Sequence, residues 1–355
     1  MDRIPAPYLS KLTPGSRQFS NIFMSHITIT RDSQIPLVGS LYFGVIDRGT
    51  SLLQVRPSCG CNLNCPFCSV DAGPKTTTRA TSYEVEMEYL VEAVQEIAAF
   101  KGEGVECHID SPGEPLMYRR IAELIAELRK IKEVSTISMQ TNGTLLTTAL
   151  IADLDAAGLD RINLSLHALD PEIAQRLAGV DWFDIDTVSH AARDVARSGI
   201  DLLIAPVYIP GINDDEIPKL IRFAQEIGAG KRFPPLGIQK FEHYKFGRSP
   251  KGVKAQSWWQ FFNRSIKPWE KESGLELRLN PARHFGTVRR PMIPQVFKKD
   301  EKVTVEICAP GWINGEMLGV ARDRVVSVFN CGKQSGQIRV KIVAAKNNIY
   351  VGIPV

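Results

Sequence analysis

The sequence predicts an α/β fold, a parallel sheet flanked by helices, with a small all-β module behind it. Two observations carry this. From about residue 51 to 245, apolar runs ending in turn residues alternate with segments of helical period, the pattern of successive βα units. After residue 295 the apolar period falls to two and glycines punctuate it. On this pattern a partial barrel and a doubly wound sheet are both open.

Residues 1–50 form a weakly patterned lead-in. Its clear element is a hairpin over 41–55, turned at Asp47-Arg48-Gly49. Strands are expected at 51–57, 105–110, 134–139, 161–166, 202–209 and 236–240, with helices at 82–101, 117–131, 145–157, 171–178, 184–198 and 213–228. These complete a core over 51–250. Residues 251–295 read as a helical extension and a linker. Trp258, Phe261, Phe262 and Ile266 recur at helical spacing and are expected to pack on the sheet, and Pro268 is expected to stop the run. The Pro- and Arg-rich stretch 280–295 reads as the linker. Over 296–355, Val303/Val305/Ile307, Val326/Val328, Ile338/Val340/Ile342 and Ile349/Val351/Ile353 alternate with polar residues and predict a small barrel.

Composition narrows the class. The chain has 44% hydrophobic and 23% charged residues, which excludes a disordered chain and suits a globular one. With 43 basic against 39 acidic residues, the net charge of +4 neither demands nor opposes a nucleic-acid partner. The opening residues lack the apolar segment of a signal peptide, and no apolar run is long enough for a membrane span. A soluble cytoplasmic protein with no membrane partner is expected.

The seven cysteines are an odd number, and four of them crowd into 59–68. That crowding points to metal binding rather than to a disulfide framework. The motif is Cys61-Asn-Leu-Asn-Cys65-Pro-Phe-Cys68, directly after a predicted strand. Three thiolates on one short loop can reach three corners of an iron–sulfur cube and leave the fourth iron open. Cys59 keeps two alternatives alive, a closed zinc site and a fully ligated cluster.

This spacing, with an aromatic residue before the last cysteine, resembles the signature of the radical S-adenosylmethionine (SAM) superfamily. The resemblance implies the partial (β/α)6 barrel of that superfamily, a [4Fe–4S] cluster on Cys61, Cys65 and Cys68, and SAM chelated at the open iron. It also implies that one electron, from a reductant such as ferredoxin or flavodoxin, cleaves SAM to a hydrogen-abstracting 5′-deoxyadenosyl radical. Phe67 would lie near the adenine, and Cys59 would be a bystander. Later motifs follow the same order along the chain. Ser111-Pro112-Gly113-Glu114-Pro115 is similar to the GGEP segment that binds the SAM amino group. Its glycine would allow close backbone approach to the ligand, and the Glu114 region would supply acceptors. Thr141-Asn142-Gly143 looks like a TNG segment lining the SAM site. Asn163, Ser165 and His167 alternate on one strand face, and Ser165 resembles the serine near the SAM ribose. In Pro210-Gly211-Ile212-Asn213-Asp214, Asn213 or Asp214 is expected to cap a helix, with Glu216 in its first turn. The basic, aromatic run 239–248 is expected either at the barrel mouth or as a solvated loop.

Substrate is less legible. The C-terminal half has only Cys308 and Cys331, far apart, so an auxiliary cluster is not expected. The terminal module is weakly similar to a TRAM domain, and the superfamily's RNA methylases carry a C-terminal cysteine for which Cys331 is the one counterpart. Three readings stand: modification of tRNA or other RNA docked by the module, radical chemistry on a peptide, lipid or small metabolite, and a non-catalytic cluster- or zinc-binding scaffold using Cys59.

Overall fold

In the computed structural model, residues 25–355 are described; the expected lead-in over 1–24 lies outside them. In chain order the first strands are β1 (Ser25–Ile29), β2 (Gly44–Asp47), β3 (Leu52–Arg56) and β4 (Thr81–Val85). There follow α1 (Met87–Lys101), β5 (Val105–Ile109), α2 (Ile121–Arg129), β6 (Val134–Thr141), α3 (Thr148–Ala156), β7 (Arg161–Leu164), α4 (Pro171–Ala178), α5 (Ile185–Arg197), β8 (Asp201–Ile204), β9 (Val207–Tyr208), α6 (Glu216–Glu226) and β10 (Gln239–Lys240).

Six strands form one sheet in the order β2-β3-β5-β6-β7-β8. β2 and β3 are the expected antiparallel hairpin, and every other neighbour is parallel. Gly49 N donates to Asp47 Oδ1 at 2.8 Å and closes the turn. Outward residues are apolar: Leu53, Val55, Ile109, Ile137, Ile162, Leu202 and Ile204 are buried beneath the helices. The other face is polar and cross-linked. Arg56 pairs with Asp110 at 2.9 Å, Ser138 Oγ donates to Glu106 Oε1 at 2.6 Å, and Arg161 Nη2 donates to the same oxygen at 2.6 Å. Strand alternation thus gives a helix-covered side and an inner side fit for chemistry.

Three expectations need correction. The helix expected from residue 82 begins at Met87, because Thr81, Tyr83 and Val85 alternate inward as a strand paired with β1. The strand expected over 202–209 breaks in two, since Pro206, lacking an N–H, stands between β8 and β9. The sixth strand shrinks to β10, which pairs with β9, while one bridge joins Leu236 to Ile204. The barrel is therefore open on that flank.

Pro268 does not stop the aromatic helix. The run continues from α7 (Trp258–Gln260) through a π-helical turn (Phe261–Ile266) into α8 (Lys267–Ser273). A proline ring clashes with the carbonyl four residues earlier, and a widened turn relieves that clash. Phe261 and Ile266 pack inward as expected, but Trp258 is 56% exposed. The stretch expected as a linker includes α9 (Pro281–Phe285) and then packs on the hairpin turn. Ile293 N donates to Asp47 Oδ2 at 2.9 Å, and Asp47 also holds the fully buried Lys101 at 2.7 Å.

β11 (Lys302–Pro310), β12 (Glu316–Ala321), β13 (Arg324–Phe329), β14 (Gly336–Lys346) and β15 (Ile349–Pro354) close a small barrel in the order β11-β12-β13-β15-β14. Val303, Val305, Ile307, Val326, Val328, Val340, Ile342 and Tyr350 fill it. Its β11–β12 loop packs on the core rather than standing off it. Trp312 O accepts from Ala80 N at 2.9 Å, Asn314 N donates to Thr78 O at 2.9 Å, and Tyr83 Oη donates to Pro310 O at 2.6 Å. Among the described residues no helix is long and apolar enough to cross a membrane.

Candidate functional site

The cysteine motif lies in the loop between β3 and β4, at the C-terminal end of β3, where parallel α/β folds build their sites. Cys61, Cys65 and Cys68 are part-exposed, whereas Cys59 is buried. Cys59 Sγ accepts the backbone N–H of Tyr83 at 3.1 Å, so it belongs to the packing under β4. No three His, Cys, Asp or Glu side chains among the described residues gather round a single-ion point. Three thiols spread along one loop suit a larger group, such as an iron–sulfur cube with one corner free. Burial raises the thiol of Cys61 to about 12 and also pushes that of Cys65 up.

Gly113 stands where the end of β5 meets the cysteine loop. Its φ is +148°, and a Cβ there would lie 1.7 Å from the Gly60 carbonyl oxygen. Glu114 N donates to that oxygen at 2.7 Å. The close approach is to the cysteine loop itself and seats the β5 end against it. Glu114 follows it in the chain. Its carboxylate is buried and accepts from Leu116 N at 3.0 Å, Thr141 Oγ1 at 2.7 Å and Asn142 N at 2.7 Å. Burial pushes it up to about 7, with these hydrogen bonds opposing. It braces the Thr141-Asn142-Gly143 turn.

Asn142 joins that turn to the cysteine loop. Its Nδ2 donates to Asn62 Oδ1 at 2.9 Å and lies 4.0 Å from Cys61 Sγ. Ser165 Oγ accepts from Gln140 Nε2 at 2.7 Å on the inner face. Phe67 meets the His167 ring edge-on, with centroids 4.9 Å apart. His167 Nδ1 accepts from Val207 N at 3.0 Å, and burial lowers the ring to about 4, so it is neutral. The structure thus brings Cys61, Cys65, Cys68, Phe67, Gly113, Glu114, Asn142, Ser165 and His167 around the C-terminal ends of β3, β5, β6 and β7.

Asn213 and Asp214 fold their loop instead of capping α6. Asn213 Nδ2 donates to the carbonyls of His167 and Val207, both at 3.0 Å, and Asp214 accepts from Tyr208 Oη at 2.7 Å. Glu216 is buried and accepts from Leu169 N at 2.7 Å and Asp170 N at 2.9 Å. Cys331 belongs to the terminal module, where its Sγ lies 3.2 Å from Lys333 O.

The run 239–248 divides. Gln239, Lys240, Glu242 and Tyr244 line a cavity of about 470 Å³ on the open flank, bounded also by Asn163, Trp258 and Phe262. Arg248 turns onto the cysteine loop instead, donating to Cys65 O at 2.8 Å and Ala72 O at 2.7 Å. Neither this arginine nor its ion-pair partner Asp71 stood out in the sequence. The signal was present at Asp71, whose Oδ2 collects Thr76, Thr77 and Thr78 from a three-threonine run close by.

Comparison with known proteins agrees with this geometry. A model of the radical SAM superfamily matches residues 55–224. An uncharacterized protein of Methanocaldococcus jannaschii is 40% identical over 91% of this chain and 80% of its own length. A GTP 3′,8-cyclase of Chlorobaculum tepidum is 30% identical over 64% of each chain. One from Aquifex aeolicus is 32% identical over 53% of this chain and 57% of its own. The chain thus spans under two thirds of these cyclases. Streptococcus suis SuiB bound to S-adenosylmethionine superposes with a TM-score of 0.50 at 20% identity, covering 64% of this chain and 48% of SuiB, and shares the fold. The cysteine loop, the open parallel barrel and the matched core together place this chain among the enzymes of the radical SAM superfamily, which work with a [4Fe–4S] cluster, SAM and an external reductant.

Proposed function

We propose that this enzyme performs hydrogen abstraction on a small, ring-bearing substrate held in the cavity on the open flank of the barrel. The observation that carries the reading is that cavity of about 470 Å³, with its aromatic wall. That volume is in the range of small-molecule sites. The Trp258 and Phe262 rings stack at 5.7 Å beside it, and such faces suit a flat ring. Lys240, which lines it, is already engaged with Glu242 at 3.0 Å, so a neutral ring system is favoured over a polyanion. The cyclases named above act, by their names, on GTP, whose base is a flat ring, although its triphosphate would need cations that this cavity does not leave free.

In this reading Cys61, Cys65 and Cys68 hold the cluster, and Phe67, Asn142, Ser165 and the Gly113 loop line the SAM site. When bound, the cluster and SAM supply the reductive cleavage that begins hydrogen abstraction, with a ferredoxin or flavodoxin as donor. The chain's own groups do the rest. Glu114 holds the Asn142 turn against the cysteine loop. Neutral His167 faces Phe67 and keeps a charge off that wall. Phe261 and Phe262 give the cavity an apolar stretch of wall.

RNA modification has weaker support. In the terminal module Arg322 pairs with Glu301 at 2.8 Å, Lys341 with Asp300 at 2.8 Å, and Arg324 with Asp323 at 3.6 Å, which blunts a phosphate-binding surface. The test supplies the anaerobically reconstituted enzyme, SAM and reductant with either a cellular metabolite fraction or total RNA, and measures 5′-deoxyadenosine. Stimulation by metabolites that Trp258→Ala abolishes is expected. Stimulation by RNA alone would overturn the reading.

A further inference from the structure

We propose that Arg248 is the positioning residue of the cysteine loop and sets the electrostatics of whatever that loop carries. The loop from Cys61 to Ala72 has no helix or regular strand to fix it, so its shape depends on what receives its carbonyls. One guanidinium bonds two of them and two loop side chains besides. Arg248 Nε donates to Cys65 O at 2.8 Å, Nη1 to Asn64 Oδ1 at 2.8 Å and to Asp71 Oδ1 at 2.9 Å, and Nη2 to Ala72 O at 2.7 Å. Its backbone N–H adds a fifth bond, to Cys68 O at 2.8 Å. Two of the three motif cysteines are therefore held through residue 248. The approach is close, since a Cβ on Gly247 would lie 2.7 Å from the carbonyl oxygens of both Cys68 and Ser69.

A planar fork holds its donors in one fixed geometry, where an ammonium offers fewer donors on a flexible stem. The side chain is 18% exposed, so its charge is weakly screened. Asp71 offsets part of that charge. Asp71 is itself held by Thr78 Oγ1 at 2.6 Å and Thr76 Oγ1 at 3.0 Å, so the pair is a fixed dipole beside the loop. A cluster on thiolates becomes more negative on reduction, and a nearby cation favours the reduced form.

This inference rests on Cys61, Cys65 and Cys68 holding the cluster. A Cys65→Ala protein with wild-type iron content would overturn that reading separately. The test compares wild type, Arg248→Gln, Arg248→Lys and Asp71→Asn as reconstituted holoenzymes without SAM. Two readouts are taken, the rate of iron loss to a chelator and the midpoint potential followed by electron paramagnetic resonance. Arg248→Gln is expected to lose iron on the order of tenfold faster, from lost hydrogen bonds, and to shift its potential negative. Arg248→Lys is expected to lose iron faster while keeping a potential near wild type. Asp71→Asn uncovers the guanidinium charge and is expected to shift the potential positive, a sign that mere loosening would not give. If Arg248→Gln does not fold, the other two variants carry the test. Wild-type iron retention in both Arg248 variants, or potentials that move the same way when Arg248 and Asp71 are each neutralised, would overturn the proposal.

Discussion

The carboxylate of Glu114 accepts the backbone amide of Asn142 at 2.7 Å, so the end of one strand is fastened to the turn that leaves the next. Thr141 Oγ1 and Leu116 N share the same carboxylate. Glu114→Ala leaves three buried donors without an acceptor and is expected to destabilise the chain by about 2–4 kcal/mol. Urea unfolding of the cluster-free protein measures this. A change below about 0.5 kcal/mol would remove Glu114 from the frame of the site.

Gly113 and Gly332 make a paired test. A side chain at Gly113 meets the Gly60 backbone, while nothing lies within 4 Å of one at Gly332. Gly113→Ala is expected to cost about 3 kcal/mol or more and to abolish iron uptake, because the cysteine loop must move. Gly332→Ala is expected to stay within about 0.5 kcal/mol of wild type. Thermal unfolding and iron content of the two proteins decide it.

The cysteines divide by environment. Cys59→Ala is expected to keep full iron content and lose about 1–2 kcal/mol, since Cys59 serves packing and one hydrogen bond to Tyr83. Cys61→Ala is expected to take up no stable cluster. Equal iron loss in both would restore Cys59 as a ligand.

Glu316 gives the chain a pH signature away from the cluster. It is buried against the β11–β12 loop, where it accepts Ile313 N at 2.9 Å, and burial pushes it up to about 7. Its folded value lies above its unfolded one. Its contribution is therefore fully present below the ordinary carboxylate range and is lost as pH rises toward about 7. Glu316→Gln removes this slope. The stability difference between wild type and variant is expected to change by roughly 1–3 kcal/mol between pH 5 and 7, in favour of wild type at the lower pH. Parallel stability curves in urea titrations across that window would contradict it.

Removal of the terminal module is expected to harm the cluster site. Arg79, whose guanidinium lies 3.8 Å from the centre of the Trp312 ring, also donates to Val70 O beside the cysteine loop and to Phe246 O at 3.0 Å. A chain ending at residue 295 loses Trp312 and is expected to bind less than half the wild-type iron and to unfold at lower temperature. Full iron content in that truncation would assign the module to substrate alone.

What the sequence disclosed and what it hid follow from distance along the chain. Cys61, Cys65 and Cys68 share one loop, and the helices after β5, β6 and β7 carry their own period, so both were legible. The role of Gly113 depends on Gly60, far upstream, and no local pattern encodes that meeting. Arg248 lies 183 positions from the Cys65 carbonyl it serves, inside a run where basic and aromatic residues suggested a ligand or solvent equally. β4 was hidden because its two-residue alternation runs straight into the period of α1, while its partner β1 lies 56 positions earlier. The π-helical turn needed the knowledge that Pro268 would be tolerated once tertiary packing held both flanks.

Residues 239–248 furnish a wall of the cavity with one half and anchor the cysteine loop with the other. An insertion or deletion in this connector that reshapes the wall also throws the anchor out of register. In the proposed reading, the cavity can be reshaped without disturbing the anchor from α7, the π-helical turn and the segment around Leu277 and Phe285, which border it on the other side. Retailoring the enzyme for another compound should begin on that side and leave the connector at its present length.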